Sequence, residues 1–177
     1  MREKHQSFTR LISKQPSRDE VHEHVLRWCN TYESLPELLR FRDHMDPLQW
    51  WSLLGYWWSM FDNVSDYGGH LRELLNEADH DHLKAMMALD AKAEWDALPA
   101  ELIVYRGCYS VNRDGLSWTL SEEIARRFPR MHRFERPGDQ PLLLTGTVPK
   151  DRAVLIVDRD EQEIVATGVV VTSIEKI

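Results

Sequence analysis

The sequence predicts an α+β fold, with helices first and a mostly antiparallel sheet after them. Three observations carry this. Apolar residues recur every three or four positions through residues 1–98. They then gather in short β-branched runs through residues 99–177. Pro99 stands where the pattern changes. Residues 1–98 are therefore read as a helical N-terminal region and 99–177 as a β core, the two sharing one compact unit. The stretch from Leu102 to Ile177 encloses too little volume to be comfortable alone, and tryptophan-rich helices are its natural cover.

The helices are justified in order. Ser17-Arg18-Asp19-Glu20 has the form of a capping box, in which the Ser17 hydroxyl accepts from the Glu20 amide and Glu20 reaches back. Val21, Val25 and Trp28 follow at helical spacing, with Tyr32 four positions further on. Pro36 opens a short helix bearing Leu38, Leu39 and Phe41. Asp46-Pro47 opens the next, Asp46 as cap and Pro47 at the first helical position. Trp50, Leu54, Trp57 and Phe61 form a stripe that Trp51 and Trp58 widen, so apolar groups on most sides place this helix inside a core. Asp66-Tyr67-Gly68-Gly69 breaks the pattern, and two further helical segments are expected around 70–78 and 80–95.

Beyond Pro99, Leu102–Tyr105 reads as a strand, and Asp114-Gly115 as a turn before a strand over Leu116–Thr119. Ser121-Glu122-Glu123 starts a helix with Ile124, Ala125 and Phe128 facing inward, which Pro129 limits to about two turns. Leu142–Val148, Ala153–Val157, Glu163–Thr167 and Val169–Ile174 are strands by their β-branched content.

Composition excludes several classes. Twenty-two basic against 29 acidic residues leave a net charge of −7, which argues against nucleic acid as a partner. Cys29 and Cys108 are too few for a disulfide framework and lack metal spacing, which suits a reducing cytosol. The first twenty residues hold Arg2, Glu3, Lys4, Arg10, Lys14 and Arg18 without an apolar stretch, so no leader is expected. The uncharged run from Pro47 to Phe61 falls short of the ~20 residues a membrane helix needs. His22/His24 and His80/His82 stand two apart, on different sides of a helix, so no metal is expected.

Chemistry concentrates in three short patches: Tyr105-Arg106-Gly107, Ser117-Trp118-Thr119 and Glu161-Gln162-Glu163. Arg106 offers a planar fork of donors for phosphate or ribose oxygens, with Gly107 leaving room for a ligand's approach. Ser117 and Thr119 share one strand face while Trp118 points the other way, into a core. Glu161 and Glu163 likewise share a face, and adjacent like charges push one pKa up. Singly, each patch also reads as surface: an exposed arginine, hydroxyls facing water, an acidic turn.

Together the patches resemble a family. Val-Tyr-Arg-Gly at 104–107 and Gly-Leu-Ser-Trp-Thr-Leu at 115–120 are followed by a short helix with Ala125 and Phe128. Thr-Val-Pro-Lys at 147–150 and Arg-Asp-Glu-Gln-Glu-Ile-Val at 159–165 complete the series. This order resembles the core of toxin-like mono-ADP-ribosyltransferases, the arginine / serine-x-threonine / glutamate-x-glutamate class. It is most similar to small bacterial and phage versions in which tryptophan separates the serine from the threonine. The resemblance covers residues 102–165 and does not extend to the helical half.

The resemblance implies a split-sheet core and NAD as co-substrate, without metal. It implies that Arg106 contacts NAD, with Tyr105 and Gly107 beside it in the cofactor patch. Ser117 would support the catalytic glutamate, and Thr119 would stabilise the strand pair next to NAD. Glu163 would be that glutamate, bonding the ribose 2′-hydroxyl and stabilising an oxocarbenium. Glu161 would bind or deprotonate the acceptor, and a glutamate at that first position goes with an arginine acceptor. Phe128 suits either stacking on nicotinamide or packing under the sheet. The short link between the helix and the last strands departs from the family on the nicotinamide side.

The expected function is mono-ADP-ribosylation of an acceptor protein in the bacterial or phage-infected cytosol, with an inhibitor or immunity protein as a further partner. Two rivals stand beside it: an NAD glycohydrolase, with water as acceptor, and a catalytically silent binding module of the same fold. The intact glutamate pair speaks against the silent module. Arg126, Arg127, Arg130, Arg133 and Arg136, with His132 among them, form a basic run that suits the NAD phosphates, an acidic partner or a solvated helix face.

Overall fold

The computed structural model describes residues 2–131, 134–158 and 161–177, with Asp158 and Glu161 by their backbone alone. These residues form eight α-helices and a six-stranded antiparallel sheet, an α+β fold. In chain order the helices are α1 (Arg2–Ile12), α2 (Arg18–Trp28), α3 (Ser34–Phe41), α4 (Pro47–Trp57), α5 (Gly68–Glu77), α6 (His80–Met86), α7 (Ala91–Ala97) and α8 (Glu122–Arg127). The strands are β1 (Glu101–Cys108), β2 (Ser117–Thr119), β3 (Leu142–Pro149), β4 (Ala153–Asp158), β5 (Glu161–Ala166) and β6 (Val170–Lys176). No helix among the described residues is long and apolar enough to cross a membrane.

Two compact units emerge: Met1–Tyr67 with Asp79–Ala88, and Gly68–Ala78 with Leu89–Ile177. Helices α5 and α7, from the first 98 residues, group with the sheet.

The first unit is helical. Its signals act as the sequence predicts: the Ser17/Glu20 capping box forms, and Asp46 accepts from the Gln49 amide with Pro47 in the first turn. Trp50, Trp51, Trp57 and Trp58 are all buried, and the Trp50 indole N–H donates to Leu38 O at 2.9 Å. Gly55 lets α4 and α6 touch, since a Cβ there would fall 1.9 Å from Met86 O. A buried polar knot joins α1, α2 and α3. His24 bridges Ser7 (Nδ1 to Oγ, 2.9 Å) and Glu37 (Nε2 to Oε1, 2.9 Å). Arg40 and Lys4 lie 3.0 and 3.5 Å from Glu37 Oε2. Burial alone would raise the Glu37 carboxyl, but His24, Lys4 and Arg40 outweigh it and hold it below the usual carboxylate range.

The second unit is the sheet with α5, α7 and α8. The strand order is β4-β5-β2-β1-β3-β6, every neighbouring pair antiparallel. β1 and β3 pair over eight residues, but β1 and β2 meet only at Tyr105↔Thr119. Two expectations are corrected. The single helix expected over 80–95 is two, α6 ending at Met86 and α7 starting anew after Asp90, whose carboxylate accepts from the Ala91 amide. Gly68-Gly69 does not interrupt helix; a 3-10 turn over Val64–Tyr67 runs directly into α5 at Gly68.

Candidate active site

One row of register partners crosses the whole sheet: Ile156, Glu163, Thr119, Tyr105, Thr145 and Ser173. Register partners stand about 5 Å apart and project to the same face. The three sequence patches thus meet on the adjacent strands β1, β2 and β5. Glu163 lies opposite Thr119, and Thr119 opposite Tyr105. Ser117, paired with Val165, shares that face and stands diagonal to Glu163, about 7 Å away. Glu163, Tyr105 and Ser117 are half-buried, while Thr119 and Ile156 are buried. Trp118 points to the other face and is buried. Glu161 opens β5 opposite Asp158, and its side chain lies outside the described residues.

Arg106 stands outside that row, opposite Leu144 on β3. Strand alternation sends its Cβ to the opposite face from Tyr105. The guanidinium then turns into the gap where β1 and β2 part. There Nη1 donates to Ser117 O and Nη2 to Asn112 O, the latter at 2.9 Å. Two side-chain bonds thus hold β2 and the 109–115 loop to β1 where the backbone ladder has stopped. Removal from water pushes the guanidinium pKa below its ordinary value, and the charges of Cys108, Glu163 and Asp114 pull it back up. Arg106 Nε is buried without a hydrogen-bond partner. Gly115 packs on the guanidinium, since a Cβ there would fall 2.0 Å from Nη2.

Two residues of the expected cofactor patch are closely packed. The room beside Gly107 is filled by α8: a Cβ at Gly107 would meet Ala125 O at 1.8 Å and Pro129 Cδ at 2.6 Å. The absence of a side chain at Gly107 lets the chain around Ala125 and Pro129 pack against β1. Thr119 is 8% exposed, and its Oγ1 accepts from the Ser121 amide at 3.1 Å, so it presents little surface. That bond shapes the turn into α8, whose cap Ser121 accepts from the Ile124 amide.

α8 lies over the neighbouring row, Gly107–Leu143–Glu175, and walls the site. Phe128, at its C-cap, is half-buried and stacks on Phe134 with ring centres 4.2 Å apart. The basic run is largely engaged with acids and carbonyls. Arg126 forks onto Glu175 at 3.1 and 2.6 Å and bonds Glu122 at 2.8 Å. Arg127 lies 4.0 Å from Glu123, and Arg130 donates to Arg126 O. His132 and Arg133 lie outside the described residues.

Sequence reasoning missed Tyr109. It is buried, and its hydroxyl donates to Pro129 O at 2.7 Å and accepts from the Arg136 amide at 3.1 Å. It ties the loop after β1 to the loop after α8. Arg72, on α5, is a second omission and donates to Asp114 O. Both act on loop carbonyls or amides far along the chain, which no local spacing marks. Among the described residues no cluster of three or more His, Cys, Asp or Glu is placed to hold a metal. Compared with protein-family models, with curated proteins and with solved structures, the chain finds no match.

Proposed function

We propose that this chain is an NAD-dependent mono-ADP-ribosyltransferase that modifies a protein on an arginine side chain and releases nicotinamide. The supporting observation is the shared row: three patches separated in sequence present Tyr105, Thr119 and Glu163 side by side on one sheet face, with Ser117 diagonal to the carboxylate. The groups fit NAD. Breaking the nicotinamide–ribose bond develops positive charge on the ribose, and a carboxylate beside it lowers the barrier. Glu163 supplies that carboxylate and accepts from the ribose 2′-hydroxyl. The Ser117 hydroxyl steadies Glu163 or the ribose, and Tyr105 gives the ring an aromatic neighbour.

Arg106 has two tasks in this reading. Its carbonyl bonds keep β2 in place, and its positive charge favours the NAD phosphates. Glu161, two residues ahead of Glu163, takes the proton of an incoming guanidinium so that its nitrogen can attack. The ADP-ribosyl C1″–nitrogen bond then forms as the nicotinamide bond breaks. A bacterial or phage-infected cytosol supplies both NAD and acceptor.

Nicotinamide release from NAD, measured for wild type beside Glu163→Gln with and without cell lysate, tests the reading. We expect release that rises with lysate and falls about 10²–10⁴-fold in Glu163→Gln. Release indifferent to lysate would replace the transferase by a glycohydrolase. No release and no NAD binding would replace it by a silent binding module.

A further inference from the structure

Gln162 sits between the two glutamates, and strand alternation turns it to the opposite face from Glu163. There its Nε2 donates to the Glu94 carboxylate on α7. Both side chains are half-buried, and a hydrogen bond to an ionised acceptor is among the stronger kinds. α7 is fastened at its other end too. Lys150, in the turn before β4, donates from Nζ to Leu98 O at 2.8 Å and to Asp96 O at 3.2 Å. The same ammonium lies 5.4 Å from the centre of the Trp95 ring, which is buried. The Lys150 amide donates to Ala100 O at 2.8 Å. α7 therefore grips the β4–β5 hairpin at two points: where the chain enters β4, and where it returns along β5.

The hairpin needs such a grip. Among the described residues β4 is an edge strand, and β5 joins the rest of the sheet through β2, over the pairs Ser117↔Val165, Trp118↔Ile164 and Thr119↔Glu163, with the Ala166 amide donating to Leu116 O beyond them. Glu163 stands at one end of this joint, next to Gln162, so a small rocking of the hairpin displaces its carboxylate. We propose that Glu94 is a positioning residue for the glutamate pair: by holding Gln162 from behind, it fixes where the Glu163 carboxylate stands over the ligand face. The inference rests on the transferase reading of that face. It also explains why the residue between the glutamates carries a donor amide.

Four proteins test it: wild type, Glu94→Ala, Gln162→Leu and Glu94→Gln, the last keeping an acceptor oxygen. Each is assayed for nicotinamide release and for amide hydrogen exchange along residues 161–166. A carboxylate displaced by about 1 Å costs rate rather than ground-state binding. We therefore expect Glu94→Ala and Gln162→Leu to lower kcat about 10- to 100-fold, with KM for NAD changed less than about 2-fold. Exchange of the β5 amides should speed up in the same two variants, and Glu94→Gln should restore both readouts. Unchanged β5 exchange and kcat in Glu94→Ala would overturn the proposal. So would a loss that Glu94→Gln fails to rescue, or one that appears equally in KM. If wild type releases no nicotinamide, the transferase reading fails by itself. The clamp is then judged on exchange: acceleration confined to residues 161–166 upholds it, and none overturns it.

Discussion

Arg106 is expected from the sequence to meet an anion, and the bonds the structure gives it are of another kind. A guanidinium beside strands carrying hydroxyls and carboxylates suggests an anion. Its nearest acceptors are instead the carbonyls of Ser117 and Asn112, in the gap where β1 and β2 part. Lysine at this position keeps the charge but loses the fork that meets two carbonyls at once. A sharper variant is Gly115→Ala. Its added methyl would fall 2.0 Å from Arg106 Nη2, the far end of a flexible side chain, so the guanidinium yields and the backbone does not. Gly115→Ala should therefore lower NAD turnover about 10-fold or more and cost about 1–3 kcal/mol of stability as the two charged bonds are displaced. Kinetics beside urea unfolding checks it; turnover equal to wild type would show that the Arg106 bonds do not hold the site. At this scale the site was legible wherever strand alternation alone decides it: Ser117 with Thr119, and Trp118 turned inward. Tyr109 was not legible, because its hydroxyl partners lie 20 and 27 positions away.

Among elements, α8 decides the most with the fewest residues. Its start and stop are local and were readable: the Ser121 hydroxyl caps it, and Phe128-Pro129-Arg130 tightens into a 3-10 turn. Its placement is not local, because it depends on β1 lacking a side chain at Gly107. A methyl there would lie 1.8 Å from Ala125 O, a backbone atom that cannot move without the helix. Gly107→Ala should destabilise the protein by about 1–3 kcal/mol, the usual range for overpacking, with β1 or α8 displaced. Urea unfolding measures it, and a change under about 0.5 kcal/mol would show that α8 adapts freely. The basic run on and after α8 invites the same lesson. From the sequence its arginines suit the NAD phosphates, an acidic partner or a solvated helix face alike; in the fold Arg126 is engaged by Glu175 on β6, 49 positions away. Charge along a sequence gives the sign of a patch; only the tertiary neighbour tells whether that sign is answered.

For the whole chain, the change of pattern at Pro99 marks a change of secondary structure and not an edge of a folded unit. Hydrophobic periodicity reports which element forms, while grouping depends on which side chains reach across the chain. Here Arg72 on α5 donates to Asp114 O, Arg152 donates to Asn76 O at 3.4 Å, and α7 is tied to Lys150 and Gln162. The unit holding the sheet consists of Gly68–Ala78 with Leu89–Ile177, so the chain leaves and re-enters it. A fragment of residues 99–177 lacks α5 and α7 and with them every one of these ties. It also has the small size at which a lone core is marginal. We expect it to give a collapsed amide spectrum and no cooperative unfolding. A fragment of residues 68–177, which keeps both helices, should give dispersed amide signals and one unfolding transition. A dispersed, cooperative spectrum from 99–177 alone would mean that the sheet is self-sufficient and that α5 and α7 are additions to it. The expected pattern would instead make α7 part of the unit that carries Glu163.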